Sequence, residues 1–269
     1  MRKLLTALLV LVFALGASGC GDSKEPPAPT PPPAAKSKLV VGLDDHFPPM
    51  GFRDADNNIV GFDIDLAKEV GSILGMEVEF QPIDWKVNIP ELNAGNVDCL
   101  WNGFTLLESR KQELACSDPY MKNRQIIVVK ADATYATLSD LAGKKLALQS
   151  GSSAQEALDS AAEFKDSLGE TLLFDDNMRA LMDLDAGGCD AVLMDEIVAR
   201  YYVTQEGKYK VMEDSSLAEE EYGIGFRKTD TELRDQVNEA LKTMKASGKM
   251  AEISEKWFSQ DITIIQAAE

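Results

Sequence analysis

The sequence predicts an α/β protein of two sheet-based lobes, and three observations carry that prediction. From Lys38 onward, runs rich in β-branched residues alternate with stretches of helical apolar spacing, the pattern of a parallel sheet with helices over both faces. A second series of the same kind begins near Arg124, so the chain builds more than one such unit. With 269 residues, 45% of them hydrophobic, it has ample material for a packed core in one large or two small domains.

The first series runs through "KLVVGL" as a strand, "FDIDLAKEVGSIL" as a helix, "EVEFQPI" as a strand, a short helix near "IPELNAG" and the strand "VDCLW". In the first helix Leu66, Val70, Ile73 and Leu74 fall at helical spacing and point to the core, and Gly75 stops it. The second series comprises "RQIIVVK" at 124–130, "KKLALQ", a helix near 154–162, "ETLLF", a helix near 178–186 and "DAVLMD". The last long helix lies in "TDTELRDQVNEALKTMKASGK". Thr229 and Glu232 are spaced as a capping box, Leu233, Val237, Leu241 and Met244 face inward, and Gly248 is the stop. A final short helix carries Trp257 and Phe258.

The chain's start is set apart from this core. Arg2-Lys3 precede the apolar run "LLTALLVLVFALGA", which ends in "SGC" at Cys20, the layout of an export signal over 1–19. A membrane-spanning helix needs ~20 apolar residues, and this run is too short to cross comfortably. The small residues before Cys20 resemble a bacterial lipobox, in which the cysteine becomes the lipidated N-terminus; Ala17 stands where leucine is usual. The proline-rich stretch at 20–37 lacks the apolar residues to build a core and reads as a tether. Lipid on Cys20 would then hold a soluble domain at the membrane, in the periplasm or at the cell surface.

Charge and cysteine content narrow the partners. Of 27 basic residues, setting aside Arg2 and Lys3 leaves 25 against 45 acidic ones, a net charge of −20, which argues against nucleic acid. Beyond Cys20 there are three cysteines. Cys99 and Cys189 sit in apolar runs and read as small core residues; with Cys116 the number is odd, and no spacing resembles a zinc site. The single histidine, His46, cannot support a metal cluster alone. No metal or cofactor is expected.

Five stretches, "FPPMGFRDADNNIVGFDIDLAKEVGSILG", "WNGFTLLESRKQELACSDPYM", "LQSGSSAQEAL", "CDAVLMDEIVARYY" and "YGIGFRKTDTELRDQVNEALKTMKASGKMAEISEKWF", resemble in sequence and order the extracellular solute-binding proteins, family 3, of polar amino-acid ABC transporters. The resemblance covers about 39–258. It implies a type II periplasmic-binding-protein fold, two α/β lobes joined by a two-strand hinge. By similarity, lobe one spans 38–122 plus 222–269 and lobe two 125–217, with crossings near 122–124 and 219–222. It also implies a free amino acid as ligand, a membrane permease and its ATPase as partners, and a monomer.

A free amino acid presents a carboxylate and an ammonium, and each is costly to bury unpaired. The strand "DCLW" is expected to break off at Asn102-Gly103, where Gly103 could expose its backbone N–H. Thr105 would then stand at a helix start, where anions are favoured, and Arg110 offers a planar fork for a carboxylate. Two plainer readings stay open: Thr105 and Glu108 have capping-box spacing, and a surface arginine is commonly only solvated. The resemblance assigns the ammonium to Asp195, which could equally cap the helix "EIVARYYV". It assigns Ser152 and Ser153 to the carboxylate clamp and Gln149 to the ligand's side-chain end, although "QSGSS" alone reads as a loop. Phe47 and Trp85 match aromatics that flank the ligand, against a plain core role, and Asp44 matches an acid that touches its polar side chain.

These assignments imply capture by closure, with Arg110, Thr105 and the aromatic pair on one lobe and Asp195 with 149–153 on the other. Asp44 favours a basic or amine-bearing side chain, while "WNG" and Trp85 resemble members associated with cystine and other polar amino acids. The rival is an enzyme: cyclohexadienyl dehydratases share the implied fold, need a positioned acid, and would draw it from Glu196.

Overall fold

The structure is a computed structural model that describes residues 37–267. The export signal, Cys20 and all but the last residue of the proline-rich stretch lie outside the described residues. In chain order the strands of the first part are β1 (Lys38–Leu43), β2 (His46–Phe47), β3 (Gly51–Arg53), β4 (Ile59–Val60), β5 (Glu77–Pro82), β6 (Cys99–Thr105) and β7 (Leu114–Cys116). Its helices are α1 (Phe62–Leu74), α2 (Asn88–Ala94) and α3 (Glu108–Glu113), with a 3-10 turn at Trp85–Val87. Then come β8 (Met121–Lys130), β9 (Lys145–Gln149), α4 (Ser153–Ser160), α5 (Ala162–Ser167), β10 (Glu170–Phe174), α6 (Asn177–Ala186), β11 (Ala191–Asp195), α7 (Glu196–Glu206) and β12 (Tyr209–Met212). The chain ends through β13 (Ala218–Arg227), α8 (Thr231–Ser247) and α9 (Lys249–Phe258).

Where the strand–helix pattern suggests two separate parallel sheets, the described strands form one mixed sheet in the order β10-β9-β11-β8-β13-β6-β1-β5. Its flanks are parallel, β9 with β10 and β11 on one side and β1 with β5 and β6 on the other. The centre is antiparallel. β8 and β13 pair from Met121↔Tyr222 to Gln125↔Ala218, and their far ends diverge, β8 to β11 and β13 to β6. Two ten-residue strands thus merge the expected sheets, since each contributes its far end to a different half. A small antiparallel sheet, β2-β3-β4, lies beside β1's end.

The helices follow their patterns with two corrections. Leu66 and Val70 of α1 are buried and Gly75 takes the left-handed conformation at its end, but Ile73 is 41% exposed. The last turn of α1 overhangs a groove shared with Thr231 and Thr243 of α8, so Ile73 has helical spacing without a neighbour to cover it. The Thr229–Glu232 capping box does not form. α8 starts at Thr231 after Asp230, and Thr229 donates to the Asp230 carboxylate (3.2 Å), which Arg227 also holds in an ion pair at 2.6 Å. Leu233, Val237, Leu241 and Met244 are buried in a core that they share with Leu66 and Val70 of α1. Cys99 and Cys189 are buried. No helix of the described residues is long and apolar enough to cross a membrane.

Candidate ligand-binding site

All seven residues of β6 are buried, and this strand does not stop at Asn102-Gly103 as the sequence suggests. It continues to Thr105 through a kink, with Gly103 at φ 57° and a shift of register against β13 between Gly223 and Gly225. Glycine is needed twice over there, because a Cβ would stand 2.8 Å from the Phe47 ring in a left-handed conformation that costs other residues about 1–3 kcal/mol. The N–H of Gly103, assigned from sequence to a ligand carboxylate, donates instead to Asp63 at 2.6 Å, and Tyr120 donates to the same oxygen at 2.9 Å. Asp63 is fully enclosed. Burial pushes it up to about 7, with these two hydrogen bonds opposing.

Thr105 ends the strand, and α3 begins only at Glu108 after Leu107. The helix-terminus argument for Thr105 and its capping box with Glu108 therefore both fall. Its hydroxyl points to Ser153 and to Glu220, each at 3.1 Å. Arg110, on α3, is 7% exposed rather than solvated. It donates to the Thr105 carbonyl at 3.0 Å, reaches weakly to that of Gly151 at 3.5 Å, and lies 4.5 Å from the Phe104 ring centroid. Burial lowers its pKa, opposed first by the charge of Glu220 and then by Glu156 and Asp195. It forms no ion pair among the described residues, so the guanidinium keeps donors for an anion at a depth where an uncompensated charge is costly.

Asp195 closes β11 and precedes α7, but its side chain makes no cap hydrogen bond. Its Oδ1 instead accepts from Asn123 (2.6 Å) and Tyr222 (2.7 Å). Burial, and secondly the charge of Glu220, push it up to about 7. Asp44, just past β1, accepts from the His46 N–H (2.9 Å) and the Gln149 amide (2.7 Å); burial outweighs both bonds and pushes it up to about 6. Asn102, with its amide oriented by its hydrogen-bond network, donates to the Asp44 carbonyl at 3.0 Å. Ser152 donates back to the Gln149 carbonyl at 2.7 Å, and Ser153 opens α4. Phe47 and Trp85 are 6% and 7% exposed, and Trp85 meets Phe104 edge-on.

These residues converge. Asp44, Phe47, Trp85, Asn102, Gly103, Thr105 and Arg110 from the β1/β6 half, with Gln149, Ser152, Ser153 and Asp195 from the β9/β11 half, line one narrow enclosure. The two halves touch closely around it. Gly151, at φ 72°, sits so near the 3-10 turn that a Cβ would stand 2.8 Å from the Lys86 Cα. We expect Gly151→Ala to weaken ligand binding about tenfold or more and to enlarge the radius of gyration of the liganded protein, both readable by calorimetry and X-ray scattering; unchanged values refute the close fit.

Several residues that hold the lining from behind were missed from sequence: Glu220, Asn123, Gln125, Tyr222 and Asp63. Glu220 stands in a run of three glutamates that the sequence does not tell apart. In "AEEEYGIG" its neighbours Glu219 and Glu221 are exposed while Glu220 and Tyr222 are buried, the period of two that places alternate residues on one face. Glu196, the acid that the enzyme reading requires, lies outside the enclosure. Arg124 grips it at 2.6 and 2.8 Å and Arg200 at 2.7 Å. These bonds, Arg124's first, hold it below the usual range and leave it no proton to give.

This architecture, two sheet flanks around a charged enclosure, defines a small-molecule binding protein. Residues 39–260 match the bacterial extracellular solute-binding proteins, family 3, and the chain belongs to that family, with its type II periplasmic-binding-protein fold. It is 29% identical over 230 residues to the L-cystine-binding protein TcyJ of Escherichia coli strain K12, covering 85% of each chain. It is 31% identical over 264 residues to the arginine-binding extracellular protein ArtP of Bacillus subtilis strain 168, covering 96% of this chain and 99% of ArtP. The crystal structure of an ABC uptake transporter substrate-binding protein from Streptococcus pneumoniae with bound histidine superposes with a TM-score of 0.82 at 37% identity, over 84% of this chain and 94% of that one. These relatives are binding proteins, not enzymes.

Proposed function

We propose that this chain captures a free amino acid with a cationic or amine-bearing side chain outside the cytoplasm and delivers it to an ABC permease and its ATPase. The observation that carries the reading is the single enclosure lined by Arg110, Asp195 and Asp44. A zwitterion's carboxylate answers Arg110 and its α-ammonium answers Asp195, which leaves Asp44 to meet a positive charge at the far end of the ligand. Phe47 and Trp85 supply flat apolar walls that also attract a cation. The ligands named for the three relatives above, cystine, arginine and histidine, suit this arrangement, since each carries a further nitrogen that can bear a proton.

In this reading 38–122 plus 222–269 and 125–217 act as two lobes that swing about the β8/β13 pairing, and the ligand favours closure because only there are both of its charges paired. Lipid on Cys20 and the tether at 20–37 keep the monomeric domain beside its permease. The test is a thermal-shift screen over the L-amino acids and L-cystine, since tight binding raises the melting temperature by mass action. L-Arginine, L-lysine or L-histidine should raise it by several degrees, and L-citrulline, the neutral analogue of arginine, should bind at least about tenfold more weakly than arginine, the size of one interaction with a charged group. A melting temperature that no amino acid moves refutes the reading.

A further inference from the structure

Glu220 belongs to β13 at the point where it pairs with β8, and it is 9% exposed. It is not among the residues that line the enclosure. One of its oxygens, Oε2, collects the Thr105 hydroxyl at 3.1 Å, the Asn123 and Gln125 amides at 3.0 Å each, and the Ser153 hydroxyl at 3.4 Å. Its other oxygen is buried with no hydrogen-bond partner among the described residues. Thr105 ends β6 and Ser153 opens α4 just after β9, in opposite halves of the fold, and both line the enclosure. Asn123 gives its amide to Asp195 as well as to Glu220, so this acid is tied to three residues of the site without facing it.

The chemistry of a hydroxyl gives that arrangement a direction. Each hydroxyl has one proton and two lone pairs, and an ionised carboxylate only accepts. The Thr105 proton goes to Glu220, or to Ser153 and on to Glu220 by way of the Ser153 proton, while the Gln125 amide donates to Ser153 at 3.2 Å. On either route both protons are turned away from the enclosure, and Thr105 keeps a lone pair for it; Ser153 keeps one only on the first route, since on the second it accepts from both Thr105 and Gln125. A hydroxyl so held accepts from an ammonium and cannot donate to a carboxylate. That removes the Thr105 and Ser153 hydroxyls from the carboxylate clamp and moves that of Thr105 to the ammonium side, with Asp195.

We propose that Glu220 is a positioning residue that sets the polarity of the site: by drawing the Thr105 and Ser153 hydroxyl protons to itself, it makes the enclosure select ligands that carry an α-ammonium. Among the charges that favour the Arg110 cation, that of Glu220 is the largest, so the acid supports the positive end of the site while orienting the negative one.

The inference rests on the amino-acid reading above, and the experiment separates the two. Calorimetry compares L-arginine with 5-guanidinopentanoate, which is L-arginine without its α-amino group, on wild-type protein and on Glu220→Gln. The neutral amide is a weaker acceptor and removes the charge without removing bulk. The expected result is that the preference for L-arginine over its desamino analogue drops about tenfold or more, the size of one hydrogen bond to a charged group, while affinity for 5-guanidinopentanoate changes less than about threefold. Equal losses for both ligands, as a mere brace between the halves would give, or a preference that does not move, overturns the assignment of Glu220. If Glu220→Gln does not fold, Thr105→Val must show the same loss of preference, and a retained preference there overturns the assignment too. Wild-type protein that binds no amino acid overturns the functional reading itself, which is a different outcome from wild type that binds L-arginine with an indifferent variant.

Discussion

Arg110→Ala should lose amino-acid binding by roughly 10²- to 10⁴-fold, the effect of removing two hydrogen bonds to a charged group at ~1.5–3 kcal/mol each with 1.4 kcal/mol per factor of ten. The guanidinium is buried, holds the Thr105 carbonyl and has no ion pair among the described residues, so its remaining donors are what a ligand carboxylate would meet. Arg110→Lys keeps the charge and loses the planar fork, and should fall between. The unliganded Ala variant should melt no lower than wild type, because it removes a buried cation whose charge burial disfavours. Titration calorimetry of L-arginine measures the first effect and a thermal melt the second. Affinity within threefold of wild type refutes the role of Arg110.

Acidity should act in opposite directions on the empty and the loaded protein. Burial raises Asp195 to about 7 and Asp44 to about 6, against ~3.9 for an aspartate in the unfolded chain. A carboxyl raised in this way contributes stability that is complete below about pH 4 and is lost as pH climbs through 6–7, because the unfolded chain ionises first. The unliganded protein should therefore melt higher at pH 5 than at pH 8. A cationic ligand needs these acids ionised, so binding should release protons and affinity should rise between pH 5 and 7, by up to about tenfold per pH unit for each proton released. Calorimetry at pH 6 in two buffers of different ionisation heat counts the protons. Asp195→Asn should weaken L-arginine roughly 10²-fold, as loss of a charge-assisted pair implies, and flatten much of the pH slope. Affinity that is level from pH 5 to 8 in wild type contradicts the pairing.

The strands and helices were readable because the signals for them are local: apolar spacing in α1 and α8, β-branched runs in β8 and β11, and glycine stops at Gly75 and Gly248. The eleven residues assigned to the site from sequence line one enclosure; seven of them were named by family resemblance rather than by their own spacing. What escaped was long-range. The partner of the Gly103 N–H lies 40 residues away, at Asp63, and Glu220 meets Thr105, Asn123 and Gln125 across 115, 97 and 95 residues. Spacing along a chain carries no record of such meetings. The merging of two sheets into one was hidden for the same reason, since a strand that pairs in both halves looks locally like any other.

The place of β13 between β6 and β8 has a consequence for how the molecule is made. β6 pairs with β13, and α1 packs against α8 and α9, so the part of the sheet translated first lacks both a neighbouring strand and the cover of its helix until 218–258 have left the ribosome. The core made first is thus finished by the residues made last, whereas β8 to β12 find all their partners but β13 within 121–212 and can pair before then.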